Sequence, residues 1–147
     1  HVGSRRQRQM CIRDSDYRHR DLPPAPDPRT DEELTEVAES TPGATLDDFD
    51  ALCDHLSTLH PSKYKDLIED VSLVCISGVH PARDQSVALR LVVLADRLYD
   101  ANIPVTVSGN KLDEIFTDEM LSGGYRKKYL RATSRLLALS RFAESAV

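Results

Sequence analysis

The chain has 147 residues, the length of one ordinary domain, and 40% of them are hydrophobic. Its formal net charge of -5 argues against a dedicated nucleic-acid-binding protein. The three cysteines form no C-x-x-C pair, so neither a disulfide framework nor a zinc site is indicated. No apolar run approaches the roughly 18 residues that an integral membrane segment needs. Composition therefore predicts a cytoplasmic protein.

The N-terminal third divides into two regions. Residues 1–15 are basic and lack the apolar stretch of a secretory signal. Within them, Arg6–Ser15 resembles translated sequencing-adapter DNA, so this region is either an artefact of that kind or a disordered arm. Residues 16–44 are predicted to hold a strand remnant, a linker and an acidic helix. The linker carries four prolines between Asp21 and Pro28, and the helix runs from Asp31 to Ser40.

The remaining region, residues 45–147, is predicted to contain a strand, a long helix and a second strand. Val71–Ile76 and Ile103–Val107 are short, apolar and β-branched, which is typical of buried strands. The helix between them, 84–101, has apolar residues around much of its circumference. A strand, a helix and a strand in this order indicate a βαβ unit with parallel pairing and a right-handed crossover.

Further helices are predicted around this βαβ unit. Thr45 or Asp47 could cap the first of them. Two glycines, Gly123 and Gly124, break the chain before the last one. These segments are 48–56, 61–68, the short turns 113–116 and 118–121, and a basic C-terminal helix over 125–142.

Both predicted strands end in a Ser-Gly pair, at Ser77-Gly78 and at Ser108-Gly109. Ligands of open parallel sheets bind at the carboxyl ends of the strands, and glycine allows a close backbone approach there. The two pairs are therefore candidate binding loops, and the alternative is that they are ordinary turns. His80 follows the first pair, where either a catalytic role or a turn role is open.

Two arginines, Arg90 and Arg97, lie seven residues apart on one face of the long helix. An arginine on a mostly apolar helix needs a carboxylate or a phosphate as its partner. We expect Arg97 to pair with Asp96, with Asp100 or with a more distant acid. For Arg90, a structural ion pair and a phosphate contact remain equally open.

The C-terminal helix carries a row of bases at steps of four residues: Lys127, Arg131 and Arg135. Such a row is either a solvated face or a face that meets phosphate groups or an acidic partner. The packing stripe of the same helix is predicted to consist of Tyr125, Tyr129, Ala132, Leu136 and Leu139.

Several catalytic patterns are absent from the sequence. It contains no G-x-x-x-x-G-K-[ST] loop, and its six glycines are too scattered to build one. Neither predicted strand ends in the paired Asp-Glu that would hold magnesium and orient water. The histidines have no metal-ligand spacing. No residue is therefore assigned as catalytic or as a metal ligand, and ATP hydrolysis by this chain alone is not predicted.

Six strings nevertheless occur in a distinctive order: Asp16-Tyr-Arg-His-Arg20, Phe49-Asp-Ala-Leu-Cys53, Val74-Cys-Ile-Ser-Gly-Val79, the R-x-x-x-L-x-D-x-L-Y-D pattern of 90–100, Val105–Gly109, and Arg131 with Ser134-Arg-Leu136. Together they resemble the ZapE/AFG-like family of P-loop, AAA-type ATPases. The third string departs from the family pattern, because His80 intervenes before Pro81.

The resemblance implies an α/β fold, a partial P-loop NTPase-like parallel sheet with a C-terminal helix. It implies ATP and magnesium as substrate and cofactor of the intact protein, bound through upstream residues, with a link to cell division in bacteria or to protein quality control in mitochondria. On this view Arg135, Arg131 and Arg90 are candidates for contacting nucleotide phosphate, and the fragment alone is inactive. The partner would be a second copy or a cell-division protein. The alternative is a small autonomous interaction module that uses its basic helix to recognise an acidic partner.

Overall fold

The structure is a computed structural model that describes residues 24–146. The predictions for residues 1–15 and for the Asp16–Arg20 string therefore lie outside the described residues.

Helices and strands alternate along the described chain, which confirms the α/β class. The helices and strands are α1 (Asp31–Ser40), β1 (Ala44–Asp48), α2 (Phe49–Ser57), α3 (Tyr64–Leu67), β2 (Leu73–Val79), α4 (Gln85–Asp100), β3 (Val105–Gly109), α5 (Asp118–Leu121) and α6 (Arg126–Ala146). Two short 3-10 helices lie at Pro61–Lys63 and Leu112–Glu114.

The three strands form one parallel sheet in the order β1-β2-β3. The predicted parallel βαβ unit is therefore confirmed as β2-α4-β3. Both strands begin two residues later than predicted, because each is preceded by a turn with a left-handed residue, Asp70 (φ 64°) or Asn102 (φ 56°). The amides of Val71 and Ile103 donate back into those turns, to the carbonyls of Ile68 and Leu98, and so are not free to begin the ladder.

The prediction for residues 45–48 is wrong. Neither Thr45 nor Asp47 caps a helix, because both lie within strand β1 at the edge of the sheet. The N-cap of α2 is Asp48, whose carboxylate accepts the amide of Ala51 at 3.2 Å. A strand of five residues with two aspartates and a single leucine carries too little apolar alternation to be recognised from its sequence.

The two faces of the sheet are covered unequally. One face carries the main core, in which Val74, Ile76, Val105 and Val107 of the strands cluster with residues of α2, α4 and α6. The other face is covered by a smaller cluster around α1, made by Leu34, Leu73, Cys75 and Ala143. Leu34, from the region predicted as 16–44, therefore packs on the same sheet as residues of the region 45–147.

Helix α6 packs along α4 and β3. The predicted stripe is buried at Tyr129, Ala132, Leu136 and Leu139. Tyr125 is the exception, since its side chain is 38% exposed. It precedes the first residue of α6, and its ring lies edge-on to that of Tyr129 at 6.4 Å.

Candidate functional site at the carboxyl ends of the strands

The structure brings the two Ser-Gly loops together through the hydroxyl of Ser108. This side chain is 1% exposed. Its Oγ donates to Oδ1 of Asp31 at 2.5 Å and accepts the backbone N–H of Gly78 at 3.1 Å. Ser77, the last residue of β2 with a regular partner in β1, is half-buried. Because Ser108 is engaged on both sides, it holds the strand ends to one another and to α1.

Glycine is required in these loops, at Gly109 above all. Gly78 and Gly109 both have positive φ angles, 66° and 95°. A Cβ atom at Gly109 would lie 2.6 Å from the amide nitrogen of Val79 and 2.7 Å from its carbonyl oxygen. The same carbonyl accepts the N–H of Asn110 at 2.8 Å. The close approach that the sequence indicated is therefore between the ends of β2 and β3 themselves.

Three carboxylates lie around the strand ends. Asp31 binds Ser108, and Asp48 and Asp50 lie where β1 passes into α2. Bases lie near the strand ends as well. Arg29 donates from its side-chain Nε to Thr106 Oγ1 at 2.9 Å and from its backbone N–H to the carbonyl of Val107. Arg83, in the segment after β2, is close enough to His80 for its charge to oppose the rise in the pKa of this histidine.

His80 leaves β2 and turns back onto the start of α2. Its Nε2 lies 2.6 Å from Oδ1 of Asp50, its Nδ1 lies 2.8 Å from the carbonyl oxygen of Pro81, and its ring meets that of Phe49 edge-on. The hydrogen bond to Asp50 and then that to Pro81 raise the pKa of His80. Both ring nitrogens face acceptors, so this histidine has none left to activate a serine hydroxyl.

The arginines occupy different environments. Arg135 donates to Oδ1 of Asp96 at 2.5 Å, and its guanidinium lies 4.9 Å from the ring centre of Tyr99. Arg97 pairs with Asp100 at 3.1 Å, which confirms the expectation for it. Arg135 thus meets the C-terminal half of α4, whereas the strand-end loops lie beside the N-terminal end of that helix. The structure does not bring Arg135 to the Ser-Gly loops.

Arg90 and Arg131 are both half-buried. Arg90 lies near Tyr64, where its charge opposes the burial that raises the pKa of this tyrosine. The Nε of Arg131 is buried and has no hydrogen-bond partner among the described residues. Arg131 is one helical turn closer than Arg135 to the start of α6.

Comparison with known proteins decides the family. A family model described as AFG1-like ATPase matches residues 22–144, which is most of the chain. The chain belongs to the AFG1-like ATPase family. No curated protein and no solved structure matches it.

Membership of an ATPase family implies that the intact protein uses nucleotide and magnesium. The residues that the structure describes do not fit a phosphate-binding site by themselves, because the sequence has no P-loop. Over residues 24–146, no group of three or more His, Cys, Asp or Glu side chains could hold a metal ion. None of the helices in this range is long and apolar enough to cross a bilayer.

The sequence did not reveal the acidic partners in this AFG1-like chain. Asp31, Asp50 and Asp96 contact Ser108, His80 and Arg135 across 77, 30 and 39 residues of sequence. Contacts at such separations leave no local pattern. The sequence contains one indication of a role for two of these acids, which is their position at the start of a helix. Asp31 is the first residue of α1, and Asp50 lies in the first turn of α2.

The His80–Asp50 contact predicts a pH-dependent stability. Because the folded-state pKa of His80 is raised, its stabilisation is full below the unfolded value of about 6.5 and is lost as pH rises through the higher folded value. We expect Asp50→Asn to remove most of this dependence, because the hydrogen bond to Pro81 remains, and to cost about 0.2–1 kcal/mol at low pH, since the pair is partly exposed. Urea unfolding between about pH 5 and pH 9 would measure it.

The control for that experiment is Asp54→Asn, which neutralises an exposed carboxylate on the same helix without touching His80. It should retain the pH dependence of the parent chain. Equal pH profiles for the parent and Asp50→Asn would show that the His80–Asp50 contact does not contribute.

Proposed function

We propose that this chain is the C-terminal part of an ATP-hydrolysing domain whose phosphate-binding loop lies in preceding sequence. The observation that carries the proposal is the match of residues 22–144 to an ATPase family, in a sequence whose glycines cannot build a P-loop. The ordered resemblance to ZapE-like, AAA-type proteins supports the finer assignment: a cytoplasmic ATPase linked to cell division, with a cell-division protein as partner.

Within this proposal the chain supplies a parallel sheet and the arginine-bearing helix α6 to the complete domain. Arg131 is the better candidate for contacting nucleotide phosphate, because Arg135 is already paired with Asp96. Arg90 is the third candidate. A guanidinium that meets the γ-phosphate can contribute on the order of 10³-fold or more to turnover.

The experiment is an ATPase assay of the purified chain with magnesium. We expect no hydrolysis above background and at best weak nucleotide binding, because nothing in the sequence cradles the phosphates. The matched comparison is the intact gene product, in which we expect turnover. Magnesium-dependent turnover by the isolated chain that survives repurification, and that one substitution in the chain abolishes, would refute the proposal.

A second candidate is a small autonomous interaction module. It is favoured by the exposed bases Arg126, Lys127 and Lys128 in the first turn of α6, where the helix dipole disfavours positive charge. Exposed basic side chains at such a position are suited to binding an acidic partner. The DNA upstream of His1 discriminates the two: an in-frame P-loop supports the ATPase part, and a start codon with a ribosome-binding site just before His1 supports the module.

A further inference from the structure

A pocket separate from the Ser-Gly loops lies between the beginnings of α4 and α6. Its volume is about 430 Å³, which is within the range of small-molecule sites. Residues 82–85, which lead from β2 into α4, form one wall, and α5, the segment 123–125 and Tyr129 form the other. Within the described chain no residue of β1 or α2 lines it, so it is distinct from the edge of the sheet at β1.

Tyr129 gives this pocket an unsatisfied polar group. Its side chain is 1% exposed, and its ring stacks on that of Phe116 at a centroid distance of 4.9 Å. Its hydroxyl is buried and has no hydrogen-bond partner among the described residues. A buried hydroxyl without a partner costs free energy, and folded proteins satisfy nearly all such groups. A polar ligand in the pocket that Tyr129 lines would supply the partner.

Two exposed side chains of the pocket suit a flat heteroaromatic ligand. Tyr125 lines the pocket next to Tyr129 and is the only large aromatic residue of the described chain classed as exposed. Such aromatic side chains are surfaces on which nucleobases stack. Gln85, the first residue of α4, is exposed and also lines the pocket. A glutamine amide pairs with N6 and N7 of adenine through two hydrogen bonds.

The charges around the pocket favour a neutral base over a phosphate group. Two acids, Asp84 and Glu119, line it together with one base, Arg83. A second base is close by, because Nζ of Lys128 lies 5.5 Å from the ring centre of Tyr125. These charges balance, so there is no positive excess to select phosphate. A neutral ring that carries both hydrogen-bond donors and acceptors meets no such barrier.

We propose that this pocket binds the adenine base of a nucleotide. Tyr125 is the stacking surface, the amide of Gln85 pairs with N6 and N7, and the hydroxyl of Tyr129 gains its hydrogen-bond partner. The inference rests on the proposed function, which makes ATP the nucleotide. It divides the binding of ATP in the intact protein between an upstream P-loop, which holds the phosphates, and this chain, which holds the base.

NMR titration of the full chain with AMP and with GMP tests the assignment, because the two differ only in the base. We expect saturable shifts of the amides of Gln85, Gly123 and Gly124 with AMP, at a Kd on the order of 1 mM. GMP should bind at least about 5-fold more weakly, because its O6 replaces the N6 amino group that Gln85 recognises. Inorganic phosphate should not produce these shifts. Equal binding of AMP and GMP, or no saturable binding of AMP, would overturn the proposal.

Tyr129→Phe separates binding from stability. It removes only the hydroxyl and keeps the ring beside Phe116, so we expect a melting temperature no lower than that of the parent and an AMP affinity lower by about 5-fold. The matched control is Tyr64→Phe, because this buried hydroxyl donates to the carbonyl of Leu56 at 3.0 Å and lies outside the pocket. It should lose stability and keep the parent affinity for AMP.

Tyr125→Ala tests the stacking surface and should weaken AMP binding by about 10-fold. Unchanged AMP affinity in both Tyr125→Ala and Tyr129→Phe would overturn the proposal. A failure here is distinguishable from a failure of the proposed function. If the intact gene product hydrolyses ATP while this chain does not bind AMP, only the adenine pocket is wrong. If this chain binds AMP as expected while the intact product does not hydrolyse ATP, the pocket stands and the proposed function fails.

Discussion

Replacing Gly109 with alanine is expected to lower the free energy of unfolding by about 3 kcal/mol or more. The residue has φ of 95°, and the new Cβ would lie 2.6 and 2.7 Å from two backbone atoms of Val79. Those atoms have little room to move, because Val79 is 2% exposed and its carbonyl accepts the amide of Asn110. Urea unfolding followed by circular dichroism would measure the loss.

Gly78→Ala is the matched control for this substitution. Gly78 has a similar φ of 66°, but its Cβ would meet nothing closer than Oδ1 of Asp48 at 3.5 Å. It should therefore cost only the left-handed penalty of about 1–2 kcal/mol. Equal free energies of unfolding for the two alanine variants would show that the contact with Val79 is not the reason for glycine at position 109.

The centre of the fold could be predicted because its elements are heavily apolar. Helix α4 was predicted to within one residue at each end, since Asp84 caps it and Asn102 leaves it in a left-handed turn. The parallel pairing of β2 and β3 followed from the helix between them. The two strands and the helix were each recognised from local sequence, and their order then predicted the pairing, although β2 and β3 are about thirty residues apart.

Strand β1 could not be predicted by the same reasoning. It is an edge strand, and its exposed side needs no apolar residues, so Ala44–Asp48 has the composition of a loop. Its pairing with β2 depends on contacts across about thirty residues. The family resemblance did not compensate, because the quoted strings begin again only at Phe49.

The candidate site could be predicted only in part. The two Ser-Gly loops were found from their position after strands, and the structure places them side by side. What surrounds them was not predictable, because Asp31 and Asp50 come from other parts of the chain. Because Asp31 accepts the hydroxyl of Ser108, this serine is engaged within the protein, and in this chain Ser108 and Gly109 join the strand ends.

The second large effect is expected for Arg135. Its side chain and that of its partner Asp96 are only 24% and 22% exposed, and the guanidinium also lies against the ring of Tyr99. Arg135→Ala leaves Asp96 without this cation and should cost about 2–3 kcal/mol. Arg135→Lys keeps the charge but loses the guanidinium contact with the ring of Tyr99, so a cost of about 1 kcal/mol is expected. Thermal and urea unfolding would measure both.

Arg97→Ala provides the control, because its pair with Asp100 joins residues three apart on one helix and is 39% and 62% exposed. That pair should contribute less than about 0.5 kcal/mol. Asp96→Ala combined with Arg135→Ala completes a double-mutant cycle that isolates the contact. If Arg135→Ala unfolds like the parent chain, the ion pair contributes nothing to stability. The intact ATPase would then be the place to test Arg135, where loss of turnover at unchanged melting temperature would assign it to the phosphate instead of Arg131.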